Sequence, residues 1–188
     1  VIGCSIGCSY CYARMNNNRF HTIDDFNKPV FFENKLKMLD NKRHTAYLLT
    51  GQSDLSGWNE EWKDKVFSKM KENKNTQYIF LTKRPENIKL KETPDNGWFG
   101  VTVTSSKEKT RIDYLRNNIK AKHYHITFEP MFDDVGKLDL SNISWIVIGT
   151  ETGNRKGKIS SKREWVFNIY NQAKEKNIPV FMKEDLLG

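Results

Sequence analysis

Three observations predict an α/β fold with parallel strands. Short runs of apolar and β-branched residues recur along the chain, nearly unbroken, as strands buried on both faces of a sheet require. Amphipathic stretches at helical spacing lie between them. The runs end in polar or glycine-rich residues, at the strand edge where parallel α/β folds gather their chemistry.

In chain order, the first strand is expected at residues 46–50 (AYLLT), followed by 78–82 (YIFLT), 98–104 (WFGVTVT), 123–129 (HYHITFE), 145–150 (WIVIGT) and 180–182 (VFM). A helix over 32–39 would align Phe32 with Leu36 and Leu39, and one over 60–72 would put Trp62, Val66, Phe67 and Met70 on one face. A third, over 106–119, aligns Ile112, Leu115 and Ile119. The fourth, over 161–176, repeats Trp165, Ile169 and Ala173 and opens on Ser161-x-x-Glu164, a capping-box pattern. Five βα steps following an N-terminal strand cut away before Val1 would make a partial (βα)6-type open TIM barrel, since a full eight-unit barrel takes about 250 residues. An open doubly wound sheet is the competing architecture. The 188 residues read as one domain, 1–188, trimmed at its start.

Composition limits the function classes. No apolar run approaches the roughly 18 residues that span a bilayer, and no signal peptide is visible, so a soluble cytoplasmic protein is expected. A net charge of +8, from 31 basic and 23 acidic residues, favours polyanionic partners, although the lysines are spread over the chain.

All three cysteines fall in one segment, Gly3-Cys4-Ser5-Ile6-Gly7-Cys8-Ser9-Tyr10-Cys11-Tyr12-Ala13-Arg14, with spacing C-x3-C-x2-C. An odd number in one loop argues against a disulfide framework. A zinc site with His21 as fourth ligand is the bland alternative. Three thiolates on a cubane 4Fe–4S cluster, which normally takes four cysteines, would leave one iron open.

The segment resembles the signature of the radical S-adenosylmethionine (SAM) superfamily, with Tyr10 as the aromatic residue before the third cysteine. The resemblance implies that Cys4, Cys8 and Cys11 ligate a 4Fe–4S cluster and that SAM chelates its open iron. It further implies reductive cleavage of SAM to a 5′-deoxyadenosyl radical that abstracts hydrogen from a substrate. Beyond the cysteines the chain is similar to a branch of that superfamily carried by phages and mobile elements, a domain of unknown function. The matching motifs run in order at residues 8–13, 53–56, 81–85, 100–103, 128–130, 147–153 and 179–183. Two departures stand out. Thr50-Gly51-Gln52-Ser53 replaces the Gly-Gly-Glu turn that holds the SAM amino group in many members, and Thr150 stands where the branch often has glycine.

On this resemblance Tyr10 would lie against the cofactor, with simple packing as its alternative. Gly51, Gln52 and Ser53 would line the methionine end of SAM, and Thr102 and Thr104 would meet ribose or carboxylate. Lys83 and Arg84 are adjacent on an extended segment, so at most one of them reaches the mouth, where it would bind a carboxylate or phosphate; the other reading is a surface cation that caps a helix or pairs with Glu86. Glu129 and Glu151 follow buried strands and would orient substrate or ribose, or else pair with Lys83 or Arg84. Lys83, Glu129 and Glu151 are thus the candidate catalytic residues. His123 and His125 receive no ligand role. Trp58, Trp62 and Tyr12 could stack bases near the mouth, although Trp62 suits a helix core better.

The leading expectation is a radical SAM enzyme acting on a nucleic acid or nucleotide. Its partners would be a flavodoxin- or ferredoxin-like electron donor and, in one version, a partner radical SAM protein. The alternatives are a non-catalytic zinc- or cluster-binding module that contacts nucleic acid or protein, and a cluster carrier that works only with another subunit.

Overall fold

In the computed structural model, which describes residues 1–41, 43, 45–153 and 155–186, six strands form one sheet. They are β1 (Ala46–Leu48), β2 (Gln77–Thr82), β3 (Gly97–Thr102), β4 (His123–Phe128), β5 (Ile143–Ile148) and β6 (Val180–Met182). Every neighbouring pair is parallel, and the order across the sheet is the order along the chain. A doubly wound sheet reverses direction at a switch point; this one never does, so right-handed crossovers carry the chain one way round an open barrel. All six strands of this sheet lie between Ala46 and Met182.

Helices fill three of the five crossovers: α2 (Glu60–Glu72), α3 (Thr110–Asn118) and α4 (Arg163–Glu175), while α1 (Tyr12–Phe20) precedes the sheet. The crossovers over 83–96 and 129–142 carry no α-helix, a departure from five full βα steps; Pro85, Pro94 and Pro130 interrupt them. The face of the sheet under the helices is aromatic. Phe80 stacks on Phe99 at 4.8 Å between centroids, and Phe67 of α2 meets both edge-on at 5.9 and 6.0 Å. The opposite face lines the barrel interior, where Leu81, Gly100, His125 and Trp145 stand in register. A Cβ on Gly100 would fall onto the His125 ring, so glycine makes room for that imidazole. His125 is buried, its Nε2 lies 3.0 Å from the Phe80 carbonyl, and burial pushes its pKa down to about 4.

Local chemistry altered several expected elements. The helix at 32–39 is a 3-10 run, Glu33–Asp40, with Leu36 and Leu39 three residues apart in keeping with a three-residue turn. The helix at 106–119 divides into a 3-10 turn, Ser106–Glu108, and α3. The capping box does not form: the Ser161 amide donates to Thr150 Oγ1 at 3.1 Å, and Lys162 becomes the N-cap of α4, without a side-chain cap. Helix α1, with three asparagines and little apolar period, was not expected. It starts from Cys11, whose Sγ accepts from the Arg14 amide at 3.4 Å, and ends at His21 in a left-handed conformation, φ 49°. Ile2, Ala13, Ile23 and Phe26 form a small core of their own beneath it, separate from the core of the barrel. Among the described residues no helix is long and apolar enough to cross a membrane.

Candidate functional site

The cysteine loop is folded by its glycines and an arginine. Gly3 and Gly7 hold φ of 108° and 80°, which side-chain-bearing residues rarely adopt. The Cys4 amide donates to the Phe26 carbonyl at 2.6 Å, and Arg14 Nη2 donates to the Cys4 carbonyl at 3.0 Å and to Asn27 Oδ1 at 2.9 Å. The loop is then joined to the end of β1. The Gly3 amide donates to the Gln52 carbonyl at 2.9 Å, and the Tyr12 hydroxyl donates to the Gly51 carbonyl.

This docking closes a cavity of about 370 Å³ over the C-terminal ends of the strands, a size suited to a small-molecule ligand. Cys4, Cys8 and Cys11, all half-buried and none in a disulfide, line it beside Tyr10. Every strand contributes to the wall: Gly51, Gln52 and Ser53 after β1, Lys83 after β2, Thr102 on β3, Glu129 after β4, Glu151 after β5 and Lys183 after β6. Most of the residues expected at the mouth line this cavity. Thr104 is not part of the wall; β3 ends at Thr102, and the Thr104 amide and hydroxyl both donate to Glu108 Oε2, at 2.7 and 2.8 Å. Trp58 is also displaced from the expected mouth, being buried with its Nε1 donating to Ser53 Oγ at 3.0 Å. Trp62 stacks on Phe31 at 5.8 Å, while Tyr12 stays exposed on the cavity wall.

Of the adjacent pair, Lys83 lines the cysteine cavity and Arg84 does not, the strand having ended at Thr82. Lys83 Nζ lies 3.5 Å from Cys8 Sγ and 3.0 Å from the Tyr10 hydroxyl, with its charge 4.6 Å from the Tyr10 ring centroid. Burial would lower the Lys83 pKa, yet Tyr10 and Cys8 together raise it, so the ammonium is kept charged. Burial raises the Cys4 thiol pKa, opposed by the Ile6 backbone. Tyr10 rests edge-on against Phe132 at 5.4 Å, and burial raises its pKa.

The carboxylates are paired, though not with Lys83 or Arg84. Glu129 pairs with Lys183 at 2.5 Å. Glu151 takes a two-pronged contact from Arg155, whose hydrogen bonds hold its carboxyl below the ordinary range. Three residues of structural weight carried no assignment from sequence. Arg14 clamps the loop, Lys183 follows β6 just as the other wall residues follow their strands, and Asp54 ties β1 to β2. Asp54 is buried; Oδ1 accepts from Ser56 N, Ser56 Oγ and Thr82 Oγ1 at 2.7–2.9 Å, and Oδ2 from Lys83 N at 2.8 Å. Its place in the polar segment 50–54 after the first apolar run was the available signal.

Cys4, Cys8 and Cys11 line one cavity, and among the described residues no group of three Cys, His, Asp or Glu side chains is gathered closely enough to hold a metal ion. His21, the fourth ligand of the zinc alternative, is exposed beyond α1 and is not part of the cavity wall.

A family profile described as "Protein of unknown function (DUF5131)" matches residues 1–185, almost the whole chain. The chain belongs to the DUF5131 family. No curated protein and no solved structure matches it. For this DUF5131 protein the family description supplies no activity, so function rests on the chemistry of the cavity.

Proposed function

We propose that this DUF5131 protein is a radical SAM enzyme, with Cys4, Cys8 and Cys11 as ligands of a 4Fe–4S cluster. The observation that carries this reading is that all three cysteines share one cavity with residues from the C-terminal end of every parallel strand. When bound, the cluster and SAM would supply one-electron reductive cleavage and hydrogen abstraction from a substrate. The chain's own groups then have defined work. The Gly51–Gln52–Ser53 turn and Thr102 offer neutral donors and acceptors to SAM, in place of an acidic turn. Tyr10, backed by Phe132, presents a ring to the cofactor. Lys83 places a positive charge on Cys8. Glu129 and Glu151, each neutralised by a basic partner, can orient hydroxyl or amino groups of substrate or ribose without a net negative charge in the cavity. A flavodoxin- or ferredoxin-like donor would supply the electron, a second radical SAM protein would be the partner in one version, and the substrate is taken to be a nucleic acid or nucleotide.

The test is iron and sulfide content of anaerobically purified protein, with electron paramagnetic resonance after dithionite reduction, with and without SAM. About four irons per chain and a reduced signal altered by SAM are expected. Zinc without sulfide, and no response to SAM, would instead leave the metal-binding module that contacts nucleic acid or protein.

A further inference from the structure

A second groove, of about 470 Å³, adjoins the cysteine cavity, and Ile6 and Lys83 line both. Its walls come from the segment after β2 and from the start of α3. The charges in it divide into two sets. Glu108 and Arg111 are consumed by the fold: Arg111 Nη2 pairs with Glu108 at 2.9 Å, and Nη1 donates to the Thr102 carbonyl at 2.7 Å. Arg84 and Lys107, among the described residues, have no side-chain hydrogen bond or ion pair, and Glu86 is the acidic residue left to oppose them. Tyr114 of α3 lines the same groove with 45% of its surface exposed.

We infer that this groove binds the sugar–phosphate backbone of single-stranded nucleic acid, with Arg84 and Lys107 on phosphates and Tyr114 stacked on a base. Unpaired cations in a groove gain most from an anion that releases its counterions on binding. A guanidinium offers a planar fork that matches phosphate oxygens. An exposed ring stacks on bases that are free of a duplex, which selects a single strand. Because Lys83 and Ile6 border both spaces, a strand lying in the groove is led to the mouth of the cysteine cavity. The inference deepens the enzyme reading by naming its substrate class, yet binding requires no iron, so the two can fail separately.

Fluorescence anisotropy with a labelled single-stranded oligonucleotide of about 16 nucleotides, over a salt series, tests it. Arg84→Ala with Lys107→Ala should weaken binding tenfold or more. The same pair should reduce the slope of log affinity against log salt by about 1.4, the value for two lost phosphate contacts on a single strand. Tyr114→Ala should weaken binding and leave the slope unchanged. Lys174→Ala with Lys176→Ala removes the same charge from exposed positions outside the groove and should change little. Circular dichroism checks that the variants fold. Equal losses from the two lysine and arginine pairs, or an unchanged salt slope in the groove pair, would overturn the site. Displacement of the strand by a mononucleotide at equal phosphate concentration would overturn the strand as ligand.

Discussion

Lys83 brings a full positive charge within 3.5 Å of a cysteine sulfur, and charge beside a ligating sulfur is one of the levers that set a cluster's reduction potential. A cation favours the reduced, more negative state. On the proposed function, Lys83→Met should move the midpoint to a more negative potential, and Lys83→Arg should largely restore it; a redox titration followed by paramagnetic resonance reads both. An unmoved midpoint in Lys83→Met would remove Lys83 from this role. His125 acts on the fold instead. Its pKa falls from 6.5 to about 4 on folding, so between these values the unfolded chain binds a proton that the folded chain does not. Stability therefore rises with pH through that window, is complete above it and is lost below it, a contribution of about 3 kcal/mol. Urea unfolding at pH 7 and pH 4 should show this drop in the wild type and a smaller one in His125→Gln. Equal drops would mean that the imidazole is not held neutral.

Among the elements, the joint between β1 and β2 depends on one carboxylate. Asp54 accepts four hydrogen bonds from three residues, and its removal leaves buried donors unpaired. Asp54→Ala should cost about 3 kcal/mol in urea unfolding. Asp54→Asn should recover only part, because turning an amide nitrogen toward the Lys83 amide sets donor against donor. A loss below about 0.5 kcal/mol, the level of an ordinary surface change, would show that the network is dispensable. The strands themselves were legible from their nearly unbroken apolar runs, although the burial on both faces that such runs suggest does not hold for β1 and β6, where Leu48 and Phe181 stay exposed. Thr104 was misplaced because β3 ends two residues early, where Glu108 captures the threonine. The capping box failed for a similar reason: a hydroxyl from another segment, on Thr150, takes the Ser161 amide. Helix α1 escaped notice because its ends are fixed by Cys11 and His21 rather than by an apolar period. The partner of Glu129 was hidden as well, Lys183 being 54 residues away, whereas Arg155 lies within four residues of Glu151 and was simply not read as its partner. A pattern along the chain records burial well and records nonlocal hydrogen bonding poorly.

At the scale of the molecule, the barrel core and the small core under the cysteine loop are distinct clusters, and residues 1–32 meet the barrel through polar contacts with the end of β1 and through Val1 and Phe31, which pack against the barrel core. Cooperative units of unequal stability open independently, each with its own free energy. We predict that the small core under the cysteine loop opens before the barrel core does. Amide hydrogen exchange should show residues 1–32 losing protection together and early, while the amides of β2 to β5 exchange only with global unfolding. One common rate for both regions would mean a single cooperative unit. Such early opening would have a consequence for handling in air: on the proposed function, a preparation would lose what Cys4, Cys8 and Cys11 hold while the barrel stays folded, so a well-folded preparation and a competent one would be different things.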